Sequence, residues 1–377
     1  MIGRSLKAAR WPARAPGRFL GALLLALAAC MLAACSGGSA GSQAGATVYA
    51  LAGAPGRIAT LQGFDAGSGK NRSTVRLKQA GASTLAMGDD GRFWVGGKSF
   101  SGLPLTSISV VSNDLKNHTR VQVEHNPGVG LAFARGKMWV ASSENGFGGS
   151  VTEVDPDSLA TRTVQVPAPE GQTYILTALA ASEDKIVVAG MTTGPNPKKR
   201  YTLITVIDPV TMTVSWRSAM LEKADVWKII PRGKQFVLLN VASGEENNQS
   251  AADIYLLEND NVLTPLAVNP SPLWGAIKGD VLYTYHNASW NSLHEVSGRF
   301  LSIHDLSSKK TKRVDMPDGM NADDLIVTDK EILLSVKSST TQHPAGIYAW
   351  DLDGGGMRLF AALPDAGKLF WRAARGR

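Results

Sequence analysis

The chain has 377 residues, a 44% hydrophobic composition, a formal net charge of +7 and only two cysteines, Cys30 and Cys35. No cysteine follows position 35, so the bulk of the chain cannot contain a disulfide and must be held by its core. Setting aside the five basic residues among the first eighteen (Arg4, Lys7, Arg10, Arg14, Arg18) leaves 34 basic against 32 acidic side chains, a balance that offers no basic face to a nucleic-acid partner.

After that basic start comes an apolar run, "FLGALLLALAACMLAAC", at 19–35. It is short for a spanning helix, which needs about 20 apolar residues, and it ends in small residues of the kind a signal peptidase accepts. A flexible linker, "SGGSAGSQAGA", begins directly after Cys35. An uncleaved anchor with two buried cysteines is the other reading of this segment.

"LAAC" followed by a small polar linker resembles a bacterial lipobox. The resemblance implies a signal peptide over 1–34, a diacylglycerol on the sulfur of Cys35 and a tether over 35–45. Cys30 is followed by the apolar Met-Leu-Ala-Ala, whereas Cys35 is followed by Ser-Gly-Gly-Ser, which makes Cys35 the lipidated residue. Several acyl chains on one cysteine anchor firmly where a single chain is marginal. Ser36 resembles the outer-membrane sorting signal of enteric-type bacteria. The resemblance therefore implies a bacterial cell-envelope address, at the outer membrane facing the periplasm, with the membrane as partner through the N-terminal lipid.

From residue 46 onward, short apolar runs alternate with turn signals, as in an all-β chain. Six segments share one pattern, a polar turn followed by an apolar strand: "DDGRFWVGG", "ARGKMWVAS", "SEDKIVVAG", "PRGKQFVLL", "IKGDVLYTY" and "TDKEILLSV". The residues after the turns are Arg92, Lys137, Lys185, Lys234, Asp280 and Glu331, at intervals of 45, 48, 49, 46 and 51. One further step back reaches "TVYALAG" at Thr47. A second feature, an apolar strand ending in a polar residue and a turn, recurs in each unit, as in "EVDPDSL" and "VIDPVTM". Asp65, Asp155, Asp208, Asp305 and Asp351 are expected to make these turns, because an aspartate bonds backbone N–H groups two residues ahead.

Seven units of about 48 residues account for 46–377, and four strands per unit predict an all-β, seven-bladed β-propeller. The first unit lacks an inner strand, and "DAGKLFWRAA" is left over at the end. Residues 367–373 are therefore expected to form the inner strand of the first blade and close the ring. The "VDPDS" and "IDPVT" units resemble the YVTN-type repeat of bacterial and archaeal surface and periplasmic propellers. The eight-bladed lipoprotein of the outer-membrane barrel-assembly machine is similar in address and architecture, with a different blade count. Neither resemblance carries a catalytic motif.

Function on such a scaffold collects on the variable loops. The loops between second and third strands are long and variable, including "MTTGPNPKKR", "NVASGEENNQSAAD", "HNASWNSLHEVSGR" and "SSTTQHPAG". They place the binding surface on one face, which the starts of the inner strands also reach. The candidate residues there are Trp227, Lys228, Trp274, Trp290, Asp323, Asp324, Lys368 and Arg372, a mixed aromatic and charged ring able to hold a small polar ligand or a partner's peptide. His286, His294 and His343 are metal-ligand types, but no H-E-x-x-H spacing unites them. No G-x-S-x-G elbow, P-loop, dinucleotide fingerprint or C-x-x-C is present, and no cofactor is expected. The reading is a non-catalytic interaction scaffold or accessory subunit of an envelope assembly. The alternatives are a lactonase- or hydrolase-like enzyme and a metal- or small-ligand-binding propeller.

Overall fold

The computed structural model describes residues 45–53, 57–97, 105–124, 126–144, 148–192, 201–244, 252–287, 299–317, 320–338, 343–354 and 356–373. Cys30, Cys35, Trp290, His294 and most of the long variable loops lie outside these residues. The chain divides into Met1–Gln43 and a compact unit, Ala44–Arg377. No helix among the described residues is long and apolar enough to cross a membrane.

The unit is a seven-bladed β-propeller. Seven antiparallel sheets follow one another along the chain, each built on four strands that are in sequence order in blades two to seven, and one sheet carries a short extra strand, Leu221–Glu222. The inner strands of blades two to seven are Ala82–Met87, Gly130–Ala134, Tyr174–Ala181, Val226–Arg232, Pro272–Lys278 and Asn321–Val327. Blade one takes its inner strand from the chain's end: Ala366–Arg372 pairs antiparallel with Thr47–Ala52. Each inner strand touches the next, and the strand of blade seven touches Ala366–Arg372, so the ring is closed. The expected closure is thus observed, one residue earlier than anticipated.

Burial follows strand position. Second strands are apolar on both faces, as in Phe93–Gly97, buried throughout, because each sheet packs against two neighbouring blades. Outer strands are exposed, as in Thr311–Asp315. The core lies between blades: Trp139 and Val151 of blade three pack with Tyr174 and Ile186 of blade four, and Leu333 of blade seven packs with Val48 and Leu369 of blade one.

The turns below the inner strands are two-residue hairpins in blades three, five and six and longer in blades two, four and seven. Arg135 and Gly136, both at positive φ, link the paired residues Ala134 and Lys137, as a type I′ turn requires. Side chains of these turns reach one blade onward, close to one repeat in sequence. Arg135 donates to the Glu183 carbonyl at 2.8 Å, and Lys278 donates to the Asp329 carbonyl at 2.6 Å.

The third strands end as the aspartate pattern implies. Asp155 Oδ1 accepts from the backbone of Asp157 and Ser158, Asp208 Oδ1 from Val210 and Thr211, and Asp305 Oδ1 from Ser307 and Ser308. These bonds hold the three carboxyls below the usual carboxylate range; at Asp155 the largest contribution comes from its partner Lys137.

Candidate functional site

The inner strands are irregular at the end opposite these turns. Six of the seven carry a register shift there, in all blades but the third. The shifts leave Ser83, Thr177, Trp227 and Asp323 between the paired positions. In blade one the pairs Ala50↔Leu369 and Ala52↔Ala366 leave Gly367 and Lys368 facing Leu51. A bulge re-aims its side chain, and bulges gather at barrel rims and active sites. Together they line a cavity of about 450 Å³ in which every blade takes part, Gly128 and Val129 serving blade three and Trp274 blade six. That is within the range of small-ligand sites, roughly 300–1,000 Å³.

Lys368 is the centre of its chemistry. The ammonium lies 3.4 Å from the centre of the Trp274 ring and donates to the Asp323 carbonyl at 3.0 Å. Its side chain is 20% exposed, and the carboxylate of Asp324 stands 3.8 Å away. Burial pushes the Lys368 amine below the ordinary lysine value; Asp324 and Asp323 oppose this, while Lys228 and Lys337 add to it. On the rim, Lys337 and Asp323 form a half-buried ion pair at 2.6 Å. Trp227 is fixed by its indole N–H on Asp225 (2.6 Å), and Trp274 by its indole N–H on the Ala322 carbonyl (3.1 Å). The buried hydroxyl of Thr84, another lining residue, has no hydrogen-bond partner.

Of the residues singled out in the sequence, Trp227, Trp274, Asp323 and Lys368 meet in this cavity. Asp324 is buried beneath it and accepts the Leu369 N–H at 2.9 Å, joining blade seven to the closing strand. Lys228 stands close enough to act on Lys368 electrostatically. Arg372 is at the wrong end: it closes the inner strand opposite Thr47, with its guanidinium beside Gly91 in the turn of blade two. Three residues of strand, Leu369–Trp371, separate it from Lys368, a distance that composition of the tail did not register.

His286 is also not where a loop ligand would be. It ends the second strand of blade six, is 1% exposed, and stacks on Phe300 with ring centres 4.4 Å apart. Its Nδ1 lies 2.7 Å from the Pro270 carbonyl and so donates, leaving Nε2 to accept from the Thr284 hydroxyl at 2.7 Å. Burial pushes its pKa down to about 4. Both nitrogens serve the fold. His343 lies at a separate groove of about 560 Å³ between the outer parts of blades six and seven, near Tyr348. Among the described residues, no three His, Cys, Asp or Glu side chains are grouped to hold a metal ion.

Sequence reasoning missed Lys337, Thr177 and Thr84. Lys337 reads as the polar end of "ILLSVKS", and nothing local signals that this end meets Asp323 at the rim.

No known protein family matches the chain, and no curated protein matches it. Solved structures do. Apo AztD from Citrobacter koseri is similar at 11% identity and a TM-score of 0.54, over 88% of this chain and 99% of that one. Two structures, each described as a "putative 6-phosphogluconolactonase", are similar as well. The one from Bacteroides uniformis has 13% identity and a TM-score of 0.57, over 86% of this chain and 99% of that one. The one from Bacteroides fragilis has 12% identity and a TM-score of 0.58, over 89% of this chain and all of that one. At such identities the likeness extends to the fold alone.

Proposed function

We propose that this chain is a membrane-tethered binding propeller of the bacterial envelope, a non-catalytic scaffold or accessory subunit that takes a compact polar group of its partner or ligand into the channel mouth. The observation that carries the reading is the cluster at that mouth: a desolvated lysine on a tryptophan face, with an aspartate, a second lysine and a second tryptophan around a cavity of about 450 Å³. None of these side chains is needed to make the turns of the repeat. The tether belongs to the lipobox reading of Cys35, and the envelope address to the same reading and to the YVTN-type repeat. The first strand begins at Thr47, opposite Arg372, which is the end of the ring away from the mouth.

The test is affinity purification of the lipidated protein from crosslinked envelopes. A reproducible partner is expected with the wild-type chain and is expected to be lost with Trp227→Ala. Recovery of the same partner by both chains would contradict the reading. Cys35→Ser is expected to release the protein from the membrane fraction.

Lactone hydrolysis is the second reading. It is favoured by the two structural neighbours described as 6-phosphogluconolactonases and by an amine of lowered pKa inside the cavity, a property suited to a general base. Turnover of a lactone by the purified chain, abolished by Lys368→Met, would favour it over the scaffold.

A further inference from the structure

Among the described residues, the charges that act on Lys368 at the mouth are those of Lys228 and Lys337 and of Asp323 and Asp324, so this group of five carries one positive charge in excess; the buried Asp225 is engaged by the Trp227 indole N–H. The aspartates are committed. Asp323 is paired to Lys337 across the rim, and the Oδ2 of Asp324 accepts the Leu369 N–H. Lys368 has three donors, of which one goes to the Asp323 carbonyl; the Asp324 oxygen at 3.8 Å is beyond hydrogen-bond length. A largely desolvated ammonium with donors to spare opens on a cavity, and among the described residues no negatively charged acceptor stands within hydrogen-bond length of it.

The apolar side of the cavity is equally specific. The Trp227 and Trp274 indoles have their N–H groups engaged, so they offer ring surface rather than donors. Leu51 and Val129 extend that apolar wall. The cavity therefore matches a monoanion with an apolar or planar body.

We propose that the channel mouth is a carboxylate-binding site, in which Lys368 takes the carboxylate, Lys337 assists at the rim, and the two tryptophans hold the apolar group attached to it. The inference rests on the binding reading of the mouth given above and names the chemical group that reading leaves open. One chemistry has two sources here, a free small organic acid and the C-terminal carboxylate of a partner chain. A dianion such as phosphate overfills the single positive charge. The charge of an arriving anion offsets the cost of burial that depresses the Lys368 amine, so binding and proton retention at Lys368 favour each other.

The test is a calorimetric titration of the purified full-length chain in detergent, with four probes: benzoate, N-acetyl-leucine, its neutral counterpart N-acetyl-leucinamide, and inorganic phosphate. Saturable binding of a carboxylate is expected, with the amide at least 10-fold weaker. Lys368→Met is expected to weaken carboxylate binding at least 10-fold, and Lys337→Gln a few-fold. Asp323→Asn, which removes the competing negative charge, is expected to tighten it. Melting curves of the variants check that each is folded.

Affinity is expected to fall with rising pH before the ordinary lysine value of 10.5 is reached. Binding of N-acetyl-leucine but not benzoate assigns the site to chain ends, and comparable binding of both assigns it to free acids; either supports the proposal. Equal binding of acid and amide, tighter binding of phosphate, unchanged binding by Lys368→Met, or no saturation by either carboxylate at 20 mM overturns it. If titration fails while mouth-dependent capture from envelopes succeeds, the carboxylate assignment falls and the binding reading stands. If capture fails, the binding reading falls first.

Discussion

The seven inner strands end in two different ways. At the turn end, three of the hairpins are two residues long, and the Oδ1 atoms of aspartates in the neighbouring turns each accept two nearby backbone N–H groups. At the mouth, six strands are bulged, a lysine is held out of water with donors to spare, and a buried threonine hydroxyl is unpartnered. The first pattern repeats with the blade and serves the fold. The second differs from blade to blade and serves no repeat. Departures from local consistency of this kind concentrate at functional sites, so the contrast supports the proposed binding role of the mouth.

The contrast depends first on the ring being closed by the chain's end. A chain ending at Pro364 loses the inner strand of blade one, with Ala366 and Leu369 from the core between blades seven and one. It is expected to lose its cooperative melting transition, and calorimetry checks this; melting like the full chain would break the account.

The next largest effect sharpens the fold side. His286 is neutral in the folded chain with a pKa of about 4, against an ordinary value of 6.5. The unfolded chain therefore binds that proton first. Stability is complete above about pH 6.5 and is lost as the pH falls toward 4, by on the order of 3 kcal/mol from this one group. Denaturant melts at pH 7 and pH 4.5 measure the loss, and His286→Gln is expected to flatten it.

Asp324→Ala removes the buried acceptor of the Leu369 N–H and is expected to cost about 2 kcal/mol. The cost is read from denaturant melts. The smallest effects separate the two ends directly. Asp208→Ala, at a turn, is expected to lower the melting temperature slightly and leave carboxylate binding unchanged. Lys337→Gln, at the mouth, is expected to change stability by less than about 0.5 kcal/mol while weakening binding. The reverse result would erase the distinction between the ends.

The same distinction explains what the sequence revealed. The turn end is written in local chemistry. Gly136 after Arg135 and the aspartates of "DPDS" and "DPVT" act on residues two or three positions away, so their spacing exposes the repeat. The closing strand was legible because its apolar pattern was surplus to the seven units. The mouth is written in tertiary geometry. Trp227, Trp274 and Lys368 stood out by residue type, but the bulge that aims Trp227 inward arises from pairing with the next strand. Lys337 meets Asp323 across two strands of blade seven, with no local signature. Arg372 and His286 show the converse error. Each has a suggestive side chain, and strand direction and burial put it out of reach of the mouth.

The most direct measurement places a photo-crosslinking amino acid at either end of the ring in living cells. Position 83 lines the mouth without belonging to the proposed binding residues, and Val210, 60% exposed, lies in the turn of blade four. The account predicts a discrete crosslinked product from position 83 that an excess of competing carboxylate suppresses, and none from position 210. A product from position 210 alone, or from both positions alike, would contradict it.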